Sequence, residues 1–274
     1  MQAITIEHKG RVFKGQLPQN FNELTRSQLL ELCRYFNGRT LLVMAKYKLA
    51  YHLLGFRKFA FKRNKAVLQI PHEQMHLICE QLDWAFAPST LTRQLLPKVR
   101  VGLRYFYGPA NTFGNGAFGE VITAFTQLTS YKESSNPTEQ RRLLCELMAT
   151  LYRPRRWWWP VVKLFPQLHT GDCRVPFNEN TLARRATLFE ALPDAYLYAT
   201  LLFFEGCQAH WKTVAPDVFS ATKSGDTTDR FGWYKFYVAM AGPKFGTINE
   251  VEHVYYTNIL IHLQSQLENQ PRKK

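Results

Sequence analysis

The sequence has no apolar run long enough to cross a membrane. Its longest nearly uninterrupted run, residues 195–204, ends at Glu205 and is about half of the roughly 20 residues that a spanning helix needs. Near the N-terminus, Glu7, His8 and Lys9 interrupt the apolar core that a secretory signal peptide requires. We therefore expect no transmembrane segment and no export by a signal peptide.

Cysteine is scarce and its spacing forms no motif. The five cysteines are Cys33, Cys79, Cys145, Cys173 and Cys207. Their number is odd, and no C-x-x-C pair is present for zinc or redox chemistry. We expect free thiols and a reducing, cytosolic compartment.

Acidic residues are few, and one long segment has none. The chain has 35 Lys and Arg against 21 Asp and Glu, a formal net charge of +14, which favours negatively charged partners. Between Glu31 and Glu73 there are nine cations and no acid. Within this segment, residues 57–65 alternate cations with two phenylalanines, a pattern that neutralises phosphates and stacks on bases.

This segment leaves two interpretations open. One is a nucleic-acid-binding helical module that uses residues 34–65. The other is a strand or loop whose aromatic rings pack inward and whose cations are solvated, which is the more frequent origin of such a pattern. For the first, the candidate nucleic-acid contacts are Arg57, Lys58, Lys62, Arg63 and Lys65.

Apolar periodicity predicts a mainly α, multi-helix globular fold with a small N-terminal β-hairpin. With 46% hydrophobic residues, the chain has ample material for a core. Residues 3–8 and 11–14 suit the hairpin, and Thr25 begins a capping box before the first helix. The other predicted helices cover residues 40–54, 71–86, 118–131, 138–152, 178–192, 194–214, 230–241 and 247–267.

A segment rich in glycine, proline and aromatic residues, 103–115, interrupts the helical pattern. Such composition is typical of a loop or a short extended piece. We therefore predict a basic N-terminal helical lobe over residues 1–105, a C-terminal helical lobe over 106–268 and a basic tail over 269–274.

Residues 72–76, His-Glu-Gln-Met-His, match H-E-x-x-H, in which two histidines one helical turn apart bind zinc and the glutamate activates water. One alternative is therefore a zinc metallohydrolase with ligands His72, His76 and Glu120 and with Glu73 as its catalytic residue. Pro71 places the motif in the first turn of its helix, which favours solvated polar residues instead. We expect no catalytic residue, no metal and no other cofactor.

Residues 114–119, Gly-Asn-Gly-Ala-Phe-Gly, fit G-x-G-x-x-G and resemble the glycine-rich loop of protein kinases. The kinase lysine, the His-Arg-Asp loop and the Asp-Phe-Gly motif are missing from the sequence. No strand-helix-strand pattern follows either. We predict a turn that leads into the helix at Phe118.

Three adjacent tryptophans follow a cluster of arginines and lie between Pro154 and Pro160. Three large rings in a row cannot all face one core, so we expect at least one at the surface, where Trp and Arg are favoured interface anchors. A membrane-surface contact is the less favoured alternative. The predicted partner-binding residues are Arg153, Arg155, Arg156, Trp157, Trp158 and Trp159.

Charge is distributed unevenly along the chain. Residues 190–268 carry nine acidic and five basic side chains, whereas the first part of the chain is basic. A basic front and an acidic back permit head-to-tail self-association.

Several segments spread over most of the chain carry a resemblance. They are Leu17-Pro-x-x-Phe21-Asn-Glu-Leu24-Thr, Tyr107-Gly-Pro109, Phe118-Gly-Glu120, Leu147-Met-Ala-Thr-Leu-Tyr-Arg-Pro154, Arg174-x-Pro-Phe-Asn178 and Gly232-Trp233-Tyr. Together they resemble uncharacterised helical proteins encoded among the structural and tail-assembly genes of bacteriophages and prophages. The resemblance implies a non-enzymatic virion or assembly protein that binds other phage proteins, in the host cytoplasm and in the virion.

Overall fold

The structure is a computed structural model that describes residues 1–8, 11–36, 40–55, 67, 70–159, 171–221, 238 and 240–269. Within these residues the chain forms ten α-helices and two two-stranded antiparallel sheets. The predicted mainly α fold with an N-terminal hairpin is confirmed. Most of the helix predicted over 230–241 and of the tail 269–274 lies outside the described residues.

The strands are β1 Gln2–His8, β2 Arg11–Leu17, β3 Lys98–Val101 and β4 Arg104–Tyr107. The helices are α1 Arg26–Cys33, α2 Leu42–Leu53, α3 His72–Glu80, α4 Phe118–Glu133, α5 Pro137–Leu151, α6 Leu182–Phe189, α7 Asp194–Val214, α8 Pro216–Ala221, α9 Ile248–His253 and α10 Tyr256–Glu268. In the described part of the chain, no helix has the length and apolar character needed to cross a membrane.

The chain separates into two compact units. Unit 1 comprises residues 1–91 and 193–206, and unit 2 comprises residues 92–192 and 207–274. Residues 105 and 106, where the sequence places the lobe boundary, both lie in β4, which pairs with β3 in unit 2. The segment rich in glycine and aromatic residues therefore includes one strand of a short hairpin.

Unit 1 combines the β1–β2 hairpin with α1, α2, α3 and the first part of α7. The predicted capping box is present, since Gln28 N donates to Thr25 Oγ1 and Thr25 N donates to Gln28 Oε1. Such a box satisfies two of the orphan N–H groups at a helix start. The buried side chains of α1 and α2 are Leu29, Leu32, Cys33, Ala45, Leu49, Ala50 and Leu53.

Unit 2 has an aromatic core around Trp211, whose ring centroid lies 4.7 Å from that of Tyr256 and 6.0 Å from that of Phe113. The helix predicted over 247–267 is broken between α9 and α10. Phe118 N donates to Val254 O at 2.8 Å, and Tyr256 N donates to Gly116 O at 2.9 Å. Because residues 254–255 are extended to make these bonds, they cannot continue a helix.

The five cysteines are free, as the sequence predicts. Cys33, Cys79, Cys145 and Cys207 are buried, and Cys173 is half-buried. Burial raises the pKa of the Cys79 thiol to about 11. This thiol is therefore protonated near neutral pH.

Candidate binding site

A network of buried charges forms the centre of unit 2. Glu120 lies in the first turn of α4, where its Oε2 accepts from Ala117 N at 3.3 Å, and its exposed fraction is 0%. Arg174 Nη1 donates to Glu120 Oε1 at 2.7 Å, and Arg153 Nη2 donates to Glu120 Oε2 at 2.8 Å. Both carboxylate oxygens of Glu120 are thus occupied by arginines.

Asp172 supplies the second carboxylate of this network. Its Oδ1 accepts from Arg174 Nε at 3.0 Å, and its Oδ2 lies 3.5 Å from Arg153 Nη2. Burial lowers the pKa of Arg153 to about 10, against the attraction of Glu120, so its guanidinium remains charged at neutral pH. Burial also acts against the charge of Arg174, but Glu120 and Asp172 outweigh it and raise its pKa.

The network also joins backbone segments. Tyr107 in β4 and Arg153 exchange backbone hydrogen bonds of 2.8 and 3.1 Å. Arg156 N donates to Cys173 O at 2.9 Å, and Arg156 Nε donates to Arg174 O at 2.9 Å. These bonds hold residues 153–156 between β4 and residues 173–175, so the polypeptide leading to the tryptophans has a fixed course.

The structure corrects the roles predicted for Glu120 and Arg153. Glu120 is not a free third zinc ligand, because two guanidinium groups occupy its carboxylate. Arg153 is buried at 2% exposure and is therefore not part of a partner-binding surface. Its position in the network follows from pairing with a buried carboxylate, which a buried arginine needs.

The side chains of the H-E-x-x-H motif are exposed at the start of α3. His72 Nε2 lies 3.4 Å from the Tyr47 hydroxyl, and His76 Nε2 lies 3.6 Å from Glu80. Among the described residues, no group of three or more His, Cys, Asp or Glu side chains is arranged to hold a metal ion. In the described chain, the motif lacks the third ligand that the hydrolase alternative requires.

The glycine motif forms a tight turn before α4, as the sequence predicts. A Cβ atom at Gly116 would lie 2.9 Å from the ring of Phe113, and one at Gly119 would meet the side chain of Glu252. At these positions glycine permits close packing within unit 2.

The candidate nucleic-acid residues 57–65 lie outside the described residues.

Trp157 and Trp158 form an exposed aromatic ridge, called here the Trp157–Trp158 ridge. Trp157 is 85% exposed and Trp158 is 41% exposed, whereas Trp159 is buried. The rings of Trp157 and Trp158 meet edge to face with centroids 5.5 Å apart. The prediction that at least one of the three rings lies at the surface is confirmed.

A basic groove in unit 2 is lined by residues of β4, of segments 154–155 and 175–178, and of α6. Its volume is about 630 Å³. Arg155 lines it and places its guanidinium carbon 5.7 Å from the centroid of the Tyr107 ring. Its remaining arginines are Arg104, Arg184 and Arg185.

The sequence analysis did not predict Arg104, Arg184 or Arg185 as site residues. For Arg185 a signal exists, because it shares the apolar i, i+3, i+4, i+7 positions of α6 with Leu182, Ala186 and Phe189, all of which are buried. A cation at such a position predicts a buried charge that requires a partner. Arg104 and Arg184 are exposed and have no such signal.

Comparison of the chain with protein-family models, curated proteins and solved structures finds no match.

Proposed function

We propose that this protein is a non-enzymatic docking protein that binds other proteins through the Trp157–Trp158 ridge. The observation that carries the proposal is the 85% exposure of Trp157 beside Trp158, which is 41% exposed. Tryptophans are strongly enriched among the residues that dominate binding energy at protein interfaces. Exposing such rings to water without a partner is unfavourable.

Neighbouring residues hold the backbone of the Trp157–Trp158 ridge in place. Trp159 is buried next to it, and Arg156 is bonded to the backbone of residues 173 and 174. Little conformational freedom of residues 156–159 has to be lost when a partner binds, which favours affinity. Arg155, exposed between β4 and the ridge, adds a cation suited to the rim of an interface.

We further propose that the partners are structural or assembly proteins of a phage or prophage, with the host cytoplasm and the virion as the places of action. This part of the proposal rests on the sequence segments that resemble such proteins. The net charge of +14 favours acidic partners. The oppositely charged parts of the chain also permit head-to-tail self-association.

The test is mass photometry of the purified protein mixed with each product of the neighbouring genes. We expect the wild-type protein to form a complex with at least one of them. Replacing both exposed rings, Trp157→Ala with Trp158→Ala, should weaken that complex by about 2 kcal/mol or more, which is about thirtyfold in affinity.

The control variant is Ile261→Ala, which removes an apolar side chain of 60% exposure from α10 of the same unit. It should leave the complex unchanged. A complex that is equally stable in both variants, or a wild-type protein that binds none of these gene products, would refute the proposal.

A further inference from the structure

The buried charges of unit 2 do not balance. Among its described residues, five charged side chains are buried, namely Glu120, Arg153, Asp172, Arg174 and Arg185. The two carboxylates pair with Arg153 and Arg174. Arg185 is therefore the one buried cation of this set without a carboxylate of its own.

Arg185 is 8% exposed and is only partly satisfied by neutral acceptors. Its Nε donates to Ala149 O at 3.0 Å, and its Nη1 donates to Thr181 Oγ1. Its Nη2 is buried and finds no hydrogen-bond acceptor in the described residues. A buried guanidinium nitrogen without an acceptor leaves the charge of Arg185 incompletely compensated, and an anion in the adjoining groove would offset that charge through space.

Arg185 lines the basic groove together with Arg104, Arg155 and Arg184, and no Asp or Glu lines it. The other three arginines are exposed and form no ion pair with any residue that the structure describes. With four arginines and no acid in its lining, the groove has a positive potential, which selects an anionic ligand. Guanidinium groups bind carboxylates bidentately.

The strand edge beside the groove favours an extended peptide with acidic side chains as the anionic ligand. Tyr107 N–H and C=O point away from β3, because they bond to Arg153. Directions alternate along a strand, so Tyr105 N–H and C=O point the same way. Arg155 follows on that side, but its bridge to Arg174 is made by the neighbouring groups, Arg156 N to Cys173 O and Val175 N to Pro154 O. Among the described residues no backbone hydrogen bond joins Tyr105 to Arg155, so the N–H and C=O of Tyr105 are open to a peptide partner.

We propose that the basic groove binds an extended acidic segment of a protein partner, with its carboxylates on the exposed Arg104, Arg155 and Arg184, near the buried charge of Arg185, and its backbone beside Tyr105. The inference rests on the proposed docking function and names the chemistry of the partner. The groove and the Trp157–Trp158 ridge meet at residues 154–157, so one partner can contact both.

The experiment measures fluorescence anisotropy of a short labelled oligoglutamate peptide titrated with the full-length protein at low salt. The peptide should bind, and binding should weaken as salt is added. A triple variant with Arg104→Gln, Arg155→Gln and Arg184→Gln should bind at least about tenfold more weakly, since it loses three charge-assisted contacts. These side chains are exposed, so the variant should fold.

The matched control removes three exposed cations elsewhere in unit 2, by Lys132→Gln, Lys212→Gln and Lys244→Gln. This variant has the same net charge as the groove variant and should bind the peptide like the wild-type protein. Equal weakening in both variants would show attraction to net charge alone and would overturn the proposal. Absence of peptide binding to the wild-type protein would also overturn it.

A labelled oligothymidylate of similar length is the second probe. If it binds the groove and the peptide does not, the groove is a nucleic-acid site and the proposal is wrong. Failure of the groove proposal can be distinguished from failure of the docking function. Loss of partner binding in the double tryptophan variant, with no effect of the groove variant, would leave the docking function standing and remove only this inference.

Discussion

At the scale of single residues, Glu120 joins the two central arginines of the buried network in unit 2. Its two oxygens hold Arg153 and Arg174, which in turn hold the backbone of residues 151–156 and 172–175. Removing one member of a buried ion network leaves uncompensated charge in a medium of low polarity. The network therefore stabilises the segment that leads to the Trp157–Trp158 ridge.

The variant Glu120→Gln should lower the free energy of unfolding by about 3–5 kcal/mol, because two buried guanidinium groups would then share Asp172 alone. Urea denaturation followed by tryptophan fluorescence measures this change. The control is Glu139→Gln, which removes an exposed pair with Arg142 and should cost less than about 1 kcal/mol. Similar losses in the two variants would contradict a structural role for the network.

At the scale of elements, α7 packs closely against residues 89–91 within unit 1. Ser89 Oγ donates to Leu202 O at 2.7 Å. A Cβ atom placed on Gly206 would lie 2.6 Å from the carbonyl carbon of Leu91, and still closer to its nitrogen and oxygen. Glycine is required at this contact because the neighbouring atoms belong to the backbone and cannot move aside.

The variant Gly206→Ala should therefore destabilise the protein by about 1–3 kcal/mol, as overpacking of a filled core does, despite the better helix propensity of alanine. The melting temperature measured by circular dichroism should fall. Thr213→Ala, an exposed substitution in the same helix, serves as the control and should change stability by about 0.5 kcal/mol or less. An unchanged or raised melting temperature for Gly206→Ala would disprove the close packing.

The elements themselves were largely predictable from local sequence. Helix α7 occupies the predicted residues 194–214, because a long apolar periodic segment follows Pro193. The break between α9 and α10 was not predictable, because residues 254–255 pair with backbone near Ala117, far away in the chain. Tertiary pairing here overrides a continuous apolar period.

The same distinction applies to the candidate site. The exposed tryptophans were predictable, since three adjacent rings cannot share one core. The partners of Glu120 were not predictable. Arg153 and Arg174 come from separate segments, and the local sequence of each segment does not indicate which residue it will contact. Burial of Arg153 follows from its partner and not from its neighbours in sequence, so composition wrongly assigned it to the surface.

At the scale of the whole molecule, the described surface offers an aromatic ridge and a basic groove that adjoin each other in unit 2. One arises from residues 157–158 and the other from β4, α6 and the connecting segments. An aromatic anchor beside a charged rim is the composition that protein interfaces favour. The proposed docking onto another protein would account for both features.

Site-specific photo-crosslinking in the cells in which the protein is naturally produced tests this proposed docking most directly. A benzophenone amino acid replaces Trp158 in one variant and Ile261 in the other, and crosslinked products are identified by mass spectrometry. We predict that position 158 crosslinks to a phage structural or assembly protein and that position 261 does not. Crosslinks that are absent from position 158, or identical at the two positions, would contradict the ridge as the docking surface.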